Sequence, residues 1–132
     1  MHKQAILLAL ALSAIGAPAF AASVTGSVTY RERIALPQGY VLRVELRDIS
    51  RQDAASEEIA SIEMRPRRQV PIRYALRYDP RRIDPAHMYS VSARILIDGR
   101  LAFISTRINS VLTRGASNKA DIMLQAVGRP PQ

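Results

Sequence analysis

The chain has no cysteine and no tryptophan, and among its 132 residues it has two phenylalanines, two histidines and two lysines. Each shortage removes a class of chemistry. Without cysteine there is no disulfide, no thiolate nucleophile and no thiolate metal ligand, so a domain of this size must hold together by packing alone. No residue can carry a lipid thioether at a processed N-terminus either. His2 lies in the leading segment, which leaves His87 as the imidazole for the rest of the chain. One histidine without cysteine cannot assemble a zinc site. Asp48, Asp79, Asp84 and Asp98 lack the spacing of a calcium loop.

Catalysis is poorly provided for. A serine triad needs a nucleophile bonded to the imidazole and a carboxylate behind it. Asp84, near His87, precedes Pro85 and reads as a turn residue. Glu57 and Glu58 are adjacent and point apart, so they do not form a glycosidase pair. No cofactor fingerprint is present. The expectation is a non-enzymatic protein with no catalytic residue, metal or cofactor. Phe103 and five tyrosines are the stacking residues left after Phe20, too few for a nucleic-acid platform in an exported chain.

What is present begins at the N-terminus. His2 and Lys3 precede an apolar run from Ala5 to Ile15, then Gly16, Pro18 and the small-x-small sequence Ala19-Phe20-Ala21. This pattern reads as a secretory signal peptide cleaved after Ala21. The run is shorter than the roughly 20 residues of a spanning helix. The expected organisation is a signal peptide at 1–21, one domain at 22–127 and a disordered tail at 128–132, located in the periplasm with no transmembrane segment in the mature chain.

The net charge is +8, and beyond Lys3 every basic residue except Lys119 is arginine. The planar guanidinium fork suits carboxylates and phosphates, so acidic proteins, lipid phosphates and anionic glycans are candidate partners. A solvated basic surface is the plain alternative.

Strand signals run through the rest. Period-two alternation marks Ser23–Tyr30, Val41–Asp48, Glu58–Met64, Gln69–Tyr78, Tyr89–Ile97, Arg100–Thr106 and, weakly, Asp121–Val127. Asp98-Gly99 predicts a tight hairpin, and Pro71 predicts an edge position for its strand. Ser50–Glu57 reads as a loop with room for one helical turn. About seven short strands and no helical periodicity predict an all-β fold, a single immunoglobulin-like antiparallel β-sandwich, with an open barrel as the alternative.

Two prolines stiffen the stretch before the fifth strand, Asp79-Pro80 and Asp84-Pro85. The spacing from Ile83 to Ala93 resembles a tyrosine corner, in which Tyr89 enters a strand and bonds back to the loop holding Asp84 and Pro85. These three residues are expected to be structural.

Three blocks carry a family resemblance: VTGSVTYRERIALP (Val24–Pro37), VLRVELRDISRQDA (Val41–Ala54) and VPIRYALRYDPRRIDPAHMYSVSARI (Val70–Ile95). Together they resemble the YbaY-like lipoproteins and the YscW-like type III secretion lipoprotein chaperones, or pilotins. The resemblance implies a β-sandwich in the cell envelope. For the pilotin branch it implies help in placing a secretin ring, although pilotins travel on a lipidated cysteine that this chain lacks.

The binding residues expected from the strand pattern are Arg43 and Arg47, outward on the second strand, and Arg73 and Arg77, outward on the fourth. If those strands share a sheet, the four form one basic face. The expected role is an accessory or assembly factor for an envelope protein, possibly a secretion component. The alternative is a binder of anionic lipid or glycan through that face.

Overall fold

The computed structural model describes residues 22–128; the expected signal peptide and the expected tail beyond Gly128 lie outside the described residues. The described chain forms β1 (Ala22–Tyr30), β2 (Val41–Asp48), β3 (Glu57–Met64), β4 (Ile72–Tyr78), β5 (Tyr89–Ile97), β6 (Arg100–Ser105), β7 (Ser110–Val111) and β8 (Ile122–Ala126). One 3-10 turn at Pro80–Arg82 follows β4. Segment 49–56 is a loop without a helical turn.

Alternation sets the core. Leu42, Val44 and Leu46 of β2, Ile72, Tyr74 and Leu76 of β4, and Tyr89, Val91, Ala93 and Ile95 of β5 are buried together with Phe103 and Leu124. A fully buried aliphatic side chain contributes about 1.5–3 kcal/mol, so these faces dominate the stability.

Hydrogen bonding follows one path, β3, β2, β5, β6, β8, β1, β4, with β7 as an additional partner of β5. The path's ends, β3 and β4, are neighbours in space without forming a ladder, so the sheet is nearly closed into a barrel. This corrects the expected two-sheet immunoglobulin-like arrangement. A twisted sheet that curls over its own inner face buries that face without a second sheet. The all-β expectation stands. The purely antiparallel expectation does not: β8 is antiparallel to β6 but runs parallel to β1, Val28 opposite Ile122 and Tyr30 opposite Leu124.

The remaining differences have local causes. β4 begins at Ile72, directly after Pro71, which has no backbone N–H to give a ladder, while the Gln69 side-chain amide is engaged on the backbone of Leu36, accepting from its N–H (2.7 Å) and donating to its carbonyl (3.0 Å). β8 begins at Ile122 because the Asp121 carboxylate caps Ser27, accepting from its N–H at 3.0 Å. β7 spans two residues, too few for any periodicity to show. The Asp98-Gly99 hairpin forms as the sequence indicates, with both residues at positive φ, 53° and 76°.

Two irregularities shape the barrel. Between Leu46/Ala60 and Arg47/Glu58 the β2–β3 register slips, leaving Ile59 as an extra residue on β3. At Gly26 the segment 118–120 crosses β1 so closely that an added Cβ would stand 1.8 Å from the Ala120 carbonyl oxygen.

Candidate functional site

Arg43, Glu45 and Arg47 alternate with core residues along β2, and their spacing puts them on one outer face. Glu45 is only 7% exposed. Its Oε1 accepts from Arg43 Nε at 2.7 Å and its Oε2 from Arg47 Nε at 2.8 Å. Arg94 of β5 approaches Oε1 at 3.5 Å. Glu58 of β3 adds a second carboxylate, 3.2 Å from Arg43 Nη2 and 3.8 Å from Arg47 Nη2. Burial would raise the pKa of Glu45; the hydrogen bonds from Arg43 and Arg47 outweigh it and hold the carboxyl below its ordinary range. The hydrogen bond to Glu45 is also the main reason Arg43 is held more firmly protonated.

Arg73 and Arg77 are exposed on β4 and make no ion pair among the described residues. β3 lies between β4 and β2 across the seam, and it carries Glu57, Glu58 and Glu63. The surface joining the two arginine pairs is therefore interrupted by carboxylates, and only the β4 pair presents unneutralised guanidinium groups.

Tyr89, buried at the start of β5, accepts a hydrogen bond from Asp84 N–H at 2.8 Å and donates to Arg82 O at 3.4 Å. Asp84 turns the loop by accepting from Ala86 N–H at 2.9 Å. His87 Nδ1 bonds Asp48 Oδ2 at 2.7 Å, and its Nε2 lies 3.5 Å from Asp84 Oδ2. The bond to Asp48 is the main reason the His87 pKa is raised. Burial of Asp48 works against its ionisation, but bonds from Ser50 and His87 prevail and lower its pKa. Ser50 Oγ is bonded to Asp48 at 2.6 Å, so this trio ties the end of β2 to the start of β5.

Three residues escaped the sequence reading. Arg94 was visible only as a polar position in β5. Arg82 and Asp48 gain their roles from partners distant in sequence, which no spacing rule reveals. The Arg-x-Glu-x-Arg pattern of β2 did contain the Glu45 hub, because alternate residues share a face.

Among the described residues no cluster of three potential ligands could hold a metal ion, and no helix is long and apolar enough to cross a membrane. A family model described as the type III secretion system lipoprotein chaperone (YscW) matches residues 19–124. The chain belongs to this YscW family. The match takes in β1 through most of β8, including the Glu45 hub and the Tyr89 corner. Over 106 residues the chain is 34% identical to the uncharacterized lipoprotein YbaY of Escherichia coli strain K12, covering 80% of this chain. It spans 55% of that relative's length. Among solved structures it is similar to an alternative pilotin from the type II secretion system of Vibrio cholerae, with 44% identity and a TM-score of 0.77. That likeness covers 82% of this chain and 98% of the pilotin chain.

Proposed function

We propose that the protein is a periplasmic, non-catalytic accessory factor that binds a component of an envelope secretion apparatus. The observation that carries this reading is the likeness to the Vibrio cholerae pilotin across nearly the whole of that chain. Membership of a lipoprotein chaperone family points the same way. The 132 residues contain no thiol to carry a lipid, so in this reading the chain acts by binding its partner. The experiment is photo-crosslinking of the full chain in its own cells, with the attached protein identified. An envelope secretion component retained through moderate salt supports the reading. Recovery of no envelope protein above an unrelated exported control overturns it.

A second reading, contact with anionic lipid or glycan, is favoured by one feature: on an exposed strand face, Arg73 and Arg77 have no carboxylate partner among the described residues. Such a contact weakens steeply as salt rises, whereas an apolar protein contact does not.

A further inference from the structure

The positive charge of the chain is not spread evenly along the barrel. Ladder register gathers the ends of β1, β3, β5 and β8 and the starts of β2, β4 and β6 at one pole. The loops there carry Arg31, Arg33, Arg65, Arg67 and Arg68, with Arg100 beside them at the start of β6. None of these arginines lies within ion-pair distance of a carboxylate among the described residues. The carboxylates of this pole are Glu32, Glu63 and Asp98. Glu32 is turned to the backbone of β8, where it accepts from Ala126 N–H at 3.5 Å. Glu63 stands opposite Arg43 on β3, and Asp98 occupies the turn between β5 and β6. At the other pole Asp79, Glu57 and Asp48 are engaged by Arg81, Arg82 and His87.

Between the loop after β1 and the loop after β3 opens a cleft of about 420 Å³. Its lining includes Arg65 and Arg67, Gln38 and Gln69, and the buried Leu36 and Tyr40, and it contains no carboxylate. The two loops are tied to each other. The Gln69 side chain bonds both the N–H and the carbonyl of Leu36, and Tyr40 Oη donates to Arg68 O at 2.5 Å. Tyr30 Oη fixes the first loop a second time by donating to Ile34 O. The cleft is thus formed before any ligand arrives, which spares binding the cost of ordering it. Its volume lies within the roughly 300–1,000 Å³ of small-molecule sites. The arginines select the ligand's charge. One guanidinium fork satisfies a carboxylate, whereas a phosphate monoester carries about −1.5 to −2 and three acceptor oxygens, enough for two forks.

We infer that this cleft binds a phosphate monoester on a small hydroxylated carrier, either free or as the headgroup of a lipid. Arg65 and Arg67 hold the phosphate oxygens, and the exposed Gln38 offers an amide to the carrier's hydroxyl groups. The surrounding guanidinium groups raise the local concentration of the anion. Arg73 and Arg77 do not line the cleft, and the inference does not depend on the protein-binding role proposed above.

The test titrates the full chain with glycerol phosphate, glycerol and glycerate. In parallel it sediments the chain with phosphatidylcholine vesicles with and without phosphatidic acid, whose headgroup is a phosphate monoester. Glycerol phosphate is expected to bind about tenfold tighter than glycerol or glycerate, and to lose about tenfold with Arg65→Gln plus Arg67→Gln. Arg73→Gln plus Arg77→Gln removes the same charge and should change its binding little. Binding of glycerol phosphate without vesicle retention assigns a free ester. Retention by phosphatidic acid alone, lost with the Arg65 and Arg67 changes, assigns a lipid headgroup. Binding in neither arm, glycerate held as tightly as glycerol phosphate, or equal losses of glycerol phosphate from both double variants overturns the inference. Should the Arg65 and Arg67 variant unfold, amide shifts of the unaltered chain on adding glycerol phosphate replace it. Shifts centred on Gln38, Gly39 and Gln69 support the site, and shifts centred on Ala75 overturn it.

Discussion

Arg82 Nη1 donates to the carbonyl oxygen of Ile59 at 2.7 Å, and its Nη2 reaches Glu58 O at 3.2 Å. The guanidinium comes from the turn after β4 and lands on the bulge of β3, so one side chain spans the two unpaired ends of the sheet. The extra residue in β3 has its carbonyl satisfied by a side chain at a place where the ladder is irregular.

Arg82→Ala should therefore destabilise the fold by about 1–2 kcal/mol, the range for losing a charge-assisted hydrogen bond at a partly exposed site. The midpoint of urea unfolding is the measure. Arg82→Lys, which keeps a donor but loses the fork, should recover only part of the loss.

Gly26→Ala should be more damaging than its single methyl implies. The neighbouring Ala120 carbonyl is backbone and is itself held by Tyr74 Oη at 2.7 Å and by the bonds between Thr25 and Asn118 and Ala120. Relieving the clash means breaking that cross-connection, at a cost of about 2–3 kcal/mol. Thermal unfolding of the variant against Ala75→Gly, a change at an exposed position, measures it.

Replacing Glu45 removes the carboxylate that Arg43, Arg47 and Arg94 all approach. Glu45→Gln should cost about 2–3 kcal/mol, below the roughly 3–5 of a fully buried pair because the arginines keep some solvent. Arg43→Gln combined with Glu45→Gln should cost less than the sum of the single changes, which a double-mutant cycle measures.

The bond between His87 and Asp48 makes stability depend on pH. His87 binds its proton more tightly in the folded chain than at the ordinary value of 6.5. Its contribution is thus complete below that value and is lost as pH rises through the higher folded pKa. Asp48 acts in the opposite sense, contributing above 3.8 and losing its contribution as pH falls through its lowered folded pKa. His87→Gln should flatten the decline of the unfolding midpoint as pH rises above 6.5. An unchanged decline would assign it to other groups.

If the second reading holds, Arg73→Gln with Arg77→Gln should weaken retention on anionic vesicles by about 2 kcal/mol at low salt, near 1 per arginine. The matching change at Arg43 and Arg47 should do less, since those charges are already engaged by Glu45 and Glu58. Vesicle co-sedimentation over a salt series distinguishes the two.

Strands were legible wherever one face met the core and the other met water. Val41–Asp48 and Tyr89–Ile97 match β2 and β5 residue for residue for this reason. Closure was not legible, because whether a twisted sheet stacks or curls depends on bulges at Ile59 and Ala102 that alternation does not record. The arginine pattern showed which side chains point outward. It could not show that Glu58, from a strand paired with β2, would take up two of them.

The parallel alliance of β1 with β8 has a consequence for synthesis. A chain is made N-terminus first, so Val28 waits for Ile122, in the last strand of the described residues, before one side of β1 has a partner. Until then β4 can pair along β1's other side, but an adhesive edge stays open until residue 122 has followed. The nascent domain is thus sheltered or at risk according to what covers that edge, and truncation before Ile122 should leave a product that aggregates instead of folding.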